Sequence, residues 1–329
     1  MSESVIEVSG LDVAFGDLKV VDNVSFSIKP GKTLGLVGES GSGKSVTSLA
    51  ILQLLAAVGS GRIARGELTL NAGNRSYPLR KLGERELRSL RGGAMAMIFQ
   101  DPMSSLDPIW SIGDQLVECI RQHQPMSKSA ARAHAVEALR LVGIPAPEQR
   151  MKDYPHQFSG GMRQRVMIAA ALANRPAFLI ADEPTTALDV TIQAQILALL
   201  KTLQNDFGMA MLFISHNMAV VAEVADEVAV MYAGQIVETA PVAEIFRHPR
   251  HPYTKGLLGS IPQPGGQDSP SRLPTIGGAP PLLSDLPGGC RFAPRCTYAT
   301  EACTGTPPDL QVAGESHMTR CIRFREIWP

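Results

Sequence analysis

Three groups of residues have the types and spacings to do chemistry. The first, Gly38-Glu39-Ser40-Gly41-Ser42-Gly43-Lys44-Ser45, satisfies the pattern G-x-x-x-x-G-K-[ST] in full. Its glycines let backbone N–H groups curl around phosphate oxygens, and a helix starting at Lys44 adds the positive end of its dipole. Lys44 is suited to reach β- and γ-phosphates, and the Ser45 hydroxyl to bind Mg²⁺. The second is Asp182-Glu183, at the end of the apolar run Phe178-Leu179-Ile180-Ala181. A buried strand that ends in two carboxylates places them at the C-terminal edge of a parallel sheet, where α/β proteins bind ligands. Asp182 can hold the Mg²⁺ hydration shell, and Glu183 can orient or deprotonate a water for attack on the γ-phosphorus. The third is Cys290, Cys296, Cys303 and Cys321, spaced C-x5-C-x6-C-x17-C within the last 40 residues, with Cys119 apart. Cysteines gathered in a weakly structured cytosolic segment suggest a metal more than a disulfide. No paired C-x-x-C is present, and the spacing alone leaves zinc, an iron–sulfur cluster and unliganded thiols open.

These groups need elements to hold them. Thr33 to Val37 reads as a buried strand, followed by the glycine-rich loop and a helix over Lys44 to Ala57, the strand–loop–helix order that phosphate binding requires. Ahead of it, Val5 to Val8, Leu11 to Phe15 and Val24 to Ile28 predict a small antiparallel β layer. Phe178 to Ala181 predicts a second buried strand. Ile192, Ile196, Leu199, Leu200, Leu203 and Phe207 then keep helical spacing up to Gly208, which supplies a C-cap. Met209 to Ile214 reads as a strand, Met218 to Val224 as a helix, and Val228 to Tyr232 with Gln235 to Glu238 as a hairpin. Strands alternating with helices predict an α/β fold with a parallel core. Residues 103 to 165 break the rhythm: Ser127 to Val142, with Ala130, Ala133, Val136, Leu139 and Leu141 among scattered charges, reads as an amphipathic helix with helical flanks, so a helical subdomain is inserted in the core.

Composition limits the function classes. The chain has 329 residues, 44% hydrophobic and 19% charged, enough apolar material for a large core and too much for a disordered chain. Lys plus Arg equals Asp plus Glu at 31 each, so no global basic field exists to hold nucleic acid by counterion release. The N-terminal MSESVIEV lacks an apolar signal core, and the uncharged stretch Ser45 to Gly61 is too short and polar for a good membrane span. The chain is expected in the cytosol, where any membrane role needs membrane partners. Ten prolines fall in residues 1 to 240 and 14 in residues 241 to 329, which marks the tail as a loop-rich appendage, with Ile261 to Gly289 running over the surface.

Phe158-Ser159-Gly160-Gly161-Met162-Arg163-Gln164-Arg165 resembles the signature motif of ATP-binding cassette (ABC) ATPases, with Phe158 in place of the usual leucine and Met162 in place of the usual glutamine. Ser159, Gly160 and Gly161 keep the groups that contact phosphate. In that family two subunits pack head to tail, each ATP lying between the phosphate loop of one and the signature of the other. Other marks agree in order. Gln100 resembles the Q-loop glutamine that senses Mg²⁺ and the attacking water. His216 resembles the switch histidine at the γ-phosphate, and Ala187-Leu188-Asp189 the D-loop of the dimer interface. Phe15 is a candidate for stacking on adenine. Taken singly, Gln100 also reads as a surface residue, His216 as a structural histidine, Asp189 as a helix N-cap and Phe15 as a strand core residue. The resemblance covers roughly residues 5 to 240 and implies ATP and Mg²⁺ as ligands, with Ser45, Gln100 and Asp182 around the metal.

The stretch Gln100-Asp101-Pro102-Met103-Ser104-Ser105-Leu106-Asp107-Pro108 is similar to the transporter-facing loop of dipeptide and oligopeptide importer ATPases. His251-Pro252-Tyr253 and Gly289-Cys290-Arg291-Phe292-Ala293-Pro294-Arg295-Cys296 resemble the C-terminal extension of that subfamily. The resemblance implies an ABC ATP-binding domain over residues 1–255, with its helical subdomain at about 101–165, and an extension over residues 256–329. It implies a heterodimer with a second ATPase, the variant signature marking this chain as the first of the two. Two membrane permeases, a periplasmic or extracellular substrate-binding protein, and a place on the cytoplasmic face of the inner membrane follow from it. It also tips the cysteines toward a [4Fe–4S] cluster, with zinc as the alternative. Nickel, glutathione or another small solute stay open as cargo. A soluble ABC protein acting on ribosomes or DNA is the rival class, which two cassettes in one chain or a basic surface would favour.

Overall fold

The computed structural model describes residues 4–101, 105–186, 188–261 and 275–328. Pro102, Met103 and Ser104 of the expected transporter-facing loop, and Ala187 of the expected D-loop, lie outside the described residues. The chain forms two compact units: Met1–Glu7, Ser27–Lys32 and Thr69–Leu212 in one, and Val8–Phe26, Thr33–Leu68 and Phe213–Pro329 in the other.

The unit that contains the glycine-rich loop is built on strands in the order β11-β12-β10-β9-β3. Here β3 is Thr33–Val37, β9 Glu227–Tyr232, β10 Gln235–Pro241, β11 Gln311–Gly314 and β12 His317–Thr319. β3 and β9 run parallel, with Leu34 opposite Glu227 and Leu36 opposite Ala229. Every residue of β3 is buried, as an unbroken apolar run in a parallel strand demands. A helix, α8 (Met218–Val224), approaches so closely that a Cβ on Gly35 would lie 2.3 Å from Val221 Cγ1. β9 and β10 form the expected hairpin, and β10 also pairs antiparallel with β12, Glu238 opposite Thr319. The extension therefore contributes two strands that the proline-rich composition conceals. The same unit holds most of β1 (Ile6–Phe15) and β2 (Leu18–Ile28) and the start of β4 (Gly61–Ala72), neighbours in the order β2-β1-β4.

The other unit pairs β6 (Met95–Ile98) in parallel with the fully buried β7 (Phe178–Asp182), Ile98 opposite Ala181. Its helices include α3 (Ile112–His123), α4 (Lys128–Leu141), α6 (Gly160–Leu172) and α7 (Val190–Phe207). Each begins at a side-chain cap: Ser111, Ser127, Ser159 and Asp189 accept the backbone N–H of Asp114, Ala130, Met162 and Ile192. Such caps satisfy donors that a helix start otherwise leaves orphaned. α3 buries Leu116 and Ile120, and α4 buries Ala131, Ala135, Ala138 and Leu139. The buried face of α4 is therefore turned from the expected one: Leu139 is buried as expected, Val136 is half-buried, and Ala130, Ala133 and Leu141 are exposed. α7 ends at Gly208, which takes the left-handed conformation (φ 64°).

Two further expectations are corrected, and one stretch without predicted elements is filled. The helix after the glycine-rich loop, α1, ends at Ile51 rather than running to Ala57. Gln53 takes a left-handed φ of 55°, and the Gln53 and Leu54 N–H groups close back on the Ala50 and Leu49 carbonyls. The two strands expected over residues 5 to 15 are one, because Gly10 (φ 57°) lets the chain pass through without turning. β4, with β5 (Arg75–Pro78) and α2 (Glu84–Leu90), fills a stretch with no anticipated structure.

His251 begins α10 (Pro252–Gly259), its Nδ1 accepting the Tyr253 N–H at 3.2 Å. It is 1% exposed, and burial holds its pKa down at about 3. An unfolded histidine titrates near 6.5, so below that pH the unfolded chain takes a proton that the folded chain refuses. Stability from this group is intact above about pH 6.5 and falls on acidification, by up to about 1.4 kcal/mol per pH unit. His251→Asn keeps a capping acceptor and cannot titrate, so its Tm should drop less than the parent's between pH 7 and 5. Identical pH profiles would refute the assignment.

Candidate nucleotide site

The glycine-rich loop joins β3 to α1 (Lys44–Ile51) and is bent by left-handed backbone at Gly41 (φ 78°) and Gly43 (φ 105°). Gly38 is fixed by space: a Cβ there would lie 2.1 Å from the Met231 carbonyl oxygen. Lys44 is 6% exposed, and its Nζ donates to the carbonyls of Gly38 (2.8 Å) and Glu39 (3.0 Å). Its ammonium is thus folded into the loop that it must serve. Thr47 Oγ1 bonds the Gly43 carbonyl and Ser48 Oγ the Ser45 carbonyl, pinning the first turn of α1 behind the loop. Ser40 and Ser45 are exposed, while Ser42 is buried. Phe15, the last residue of β1, is half-buried, with its ring edge 2.7 Å from the point a Cβ on Gly61 would occupy. His216 is exposed directly after the buried strand β8 (Ala210–Ser215).

In the other unit, β7 delivers Asp182, 5% exposed, as its last residue. Glu183 follows with a left-handed φ of 48°, an uncommon state for a residue with a Cβ and one that concentrates at functional positions. Its Oε2 accepts from Thr186 Oγ1 at 2.9 Å and from Gln100 Nε2 at 3.3 Å. Gln100 and Glu183, 83 positions apart in sequence, are thus brought together, which their separate motifs do not show. Thr186 was missed: a hydroxyl three residues after the glutamate is the one signal for it. Ser159 caps α6, so the signature segment opens a helix as its motif implies. A Cβ on Gly160 would meet nothing within 4 Å, whereas one on Gly161 would press on Ile192 at 3.0 Å. Phe158, in place of leucine, is 2% exposed, with the Arg150 guanidinium 5.9 Å from its ring centre. Asp189 is the N-cap of α7, its Oδ1 accepting the Ile192 N–H at 2.9 Å.

The four clustered cysteines converge. Cys290, Cys296, Cys303 and Cys321 line one cavity of about 20 Å³ together with Phe292 and Tyr298. Burial pushes the Cys290 and Cys296 thiols up and the Cys321 thiol up to about 12, so they hold their protons at neutral pH. Among the described residues, however, no three His, Cys, Asp or Glu side chains are arranged to hold a metal ion. A single tetrahedral zinc would draw four sulfurs to about 2.3 Å from one point. The donor set and its convergence match Cys₄ ligation; that close arrangement is not present.

Comparison with known proteins shows the family. Residues 21–186 match the ABC transporter family, and residues 237–303 match the family described as oligopeptide/dipeptide transporter, C-terminal region. A Brucella abortus chain provisionally named a peptide import ATP-binding protein is 50% identical over 334 residues, covering 99% of this chain and 98% of its own. The dipeptide transport ATP-binding protein DppD of Escherichia coli is 48% identical over 322 residues, covering 97% and 96%. The oligopeptide transport ATP-binding protein OppD of Bacillus subtilis is 49% identical over 322 residues, covering 96% and 88%. Among solved structures, the ATP-binding cassette MJ0796, a dimer in a post-hydrolysis state bound to ADP and Pi, superposes with a TM-score of 0.61. It is 26% identical and covers 72% of this chain and 98% of that one. The chain belongs to the ABC transporter family of ATP-binding proteins.

Proposed function

We propose that this chain is the ATP-binding and ATP-hydrolysing subunit of an importer of dipeptides or oligopeptides. The observation that carries the reading is full-length similarity to proteins named for peptide transport, extending through both the cassette and the C-terminal region. The cassette comprises residues 1–255, and the extension residues 256–329. The chain works as a heterodimer with a second ATPase, docked on two permeases that receive substrate from a periplasmic or extracellular binding protein. Among the described residues no helix is long and apolar enough to cross a membrane. That suits a subunit held peripherally on the cytoplasmic face of the inner membrane.

Phe15 stacks on adenine, while the loop backbone at Gly38, Ser40, Gly41, Ser42, Gly43, Lys44 and Ser45 and the Lys44 ammonium hold the phosphates. By the family resemblance, Ser45, Gln100 and Asp182 would hold Mg²⁺, which would supply positive charge to offset that of the β- and γ-phosphates. Glu183, oriented by Thr186 and Gln100, positions a water and accepts its proton as the oxygen attacks the γ-phosphorus. The bond between phosphorus and the bridging ADP oxygen breaks, leaving ADP and phosphate. His216 supports the γ-phosphate. Ser159, Gly160 and Gly161 serve the nucleotide bound by the partner ATPase, and Asp189 lies at that interface. The open space beside Gly160 fits a phosphate approaching from another subunit.

Cys290, Cys296, Cys303 and Cys321 hold a [4Fe–4S] cluster that staples an extension too small to build its own core. Shared lining of one cavity by all four cysteines supports this. Ligation displaces the thiol protons that burial now retains. Chain purified anaerobically should absorb visible light and carry iron and acid-labile sulfide in equal amounts, with both lost in Cys321→Ser. Colourless protein carrying zinc would contradict the cluster.

The cargo is tested in the reconstituted importer. Binding protein loaded with a di- or oligopeptide should raise ATPase activity several-fold over the unloaded protein. Stimulation by nickel or glutathione instead, with peptides inert, would overturn the peptide assignment.

A further inference from the structure

The C-terminal extension grips the phosphate-binding loop directly. Glu39, the first residue after Gly38, has three polar groups held from three directions. Arg295 forms a bidentate pair with its carboxylate, at 2.6 Å from Nη1 to Oε2 and 3.0 Å from Nη2 to Oε1. Its N–H donates to the Tyr253 hydroxyl at 2.8 Å, and its carbonyl accepts from Lys44. The Arg295 side chain is 5% exposed and lies over the rings of Tyr232 and Phe292, which pack on Tyr253. A second grip reaches the other side of the loop. Arg291 bonds Asp22 and the Ala233 carbonyl, while the next N–H, that of Gly234, donates to the Ser42 carbonyl at 2.9 Å. Arg291 and Arg295 are the sequence neighbours of Cys290 and Cys296.

We propose that Arg295 is a positioning residue for nucleotide binding, acting through Glu39. A fork-to-fork guanidinium–carboxylate pair fixes both distance and orientation, and burial of the guanidinium keeps it from exchanging freely with water. Held by Arg295 and Tyr253, Glu39 presents its carbonyl to Lys44 and sets the path of the loop before nucleotide arrives. An unanchored loop must be ordered by the nucleotide itself, which lowers affinity. The effect belongs in binding rather than in chemistry, because neither Arg295 nor Tyr253 need reach a reacting atom.

The inference rests on residues 38–45 being the nucleotide site, so the test begins with Lys44→Ala. That variant should weaken binding of a fluorescent ATP analogue to the full chain at least tenfold. Unchanged binding there would remove the site and the inference together. Arg295→Gln and Glu39→Gln should each weaken binding by about 5- to 20-fold and raise KM for ATP, with kcat in the importer complex within twofold. The double variant should be no weaker than the poorer single variant, because both remove one interaction. Arg295→Lys should recover part of the loss, keeping the charge without the fork. Glu39→Gln lies outside the extension and tests the pair even if Arg295→Gln unfolds its surroundings. Unchanged affinity in Glu39→Gln, or fully additive losses in the double variant, would overturn the proposal.

Discussion

The buried ammonium of Lys44 is the constraint around which the nucleotide site is arranged. A cation at the N-terminus of α1 faces the positive end of the helix dipole, an unfavourable place that carbonyl oxygens offset. Those of Gly38 and Glu39 do so here, and to present them the loop must turn through left-handed glycines. Gly38 in turn must lack a side chain because the Met231 carbonyl lies where one would begin. The loop's shape is therefore tied to the parallel pairing of β3 with β9, and that pairing to the buried apolar runs of both strands.

The extension belongs to the same arrangement. Its strands β11 and β12 continue the sheet beyond β10, with the buried His317 ring bonded to the Glu238 carboxylate at 2.7 Å. Its arginines flank two of the four clustered cysteines and reach Glu39, Asp22 and the hairpin turn at Ala233. Whatever orders the cysteine-bearing segment also fixes these arginines. A tail that composition presents as a loose appendage is thus continuous, through charged contacts, with the glycine-rich loop.

How much was legible in the sequence depended on how local each signal is. The glycine-rich loop, the strand ending at Asp182, the cap Asp189 and the stop at Gly208 are each set by residues within one or two turns. The end of α1 was not, since Gln53 adopts a left-handed conformation that glycine or asparagine would have announced. β12 was hidden because its partner β10 lies about 80 residues away in sequence and its own three residues carry no period. Likewise, Arg295 and Glu39 are separated by 256 positions, and no pattern in either neighbourhood points to the other. The place of Glu183 directly after a buried strand and Asp182 was readable. Its left-handed backbone and its bonds to Thr186 and Gln100 were not, being products of the tertiary fold.

The central claim is that this fold binds ATP through the loop around Lys44 and hydrolyses it with Glu183. It is tested most directly by Glu183→Gln, a change that keeps shape and hydrogen bonding but removes the proton acceptor. Single-turnover hydrolysis should be measured with the partner ATPase rendered inert, beside the affinity for ATP. The account predicts affinity within a few-fold of the parent and turnover reduced by two or more orders of magnitude, in the range that general-base catalysis supplies. Hydrolysis at the parental rate would contradict it.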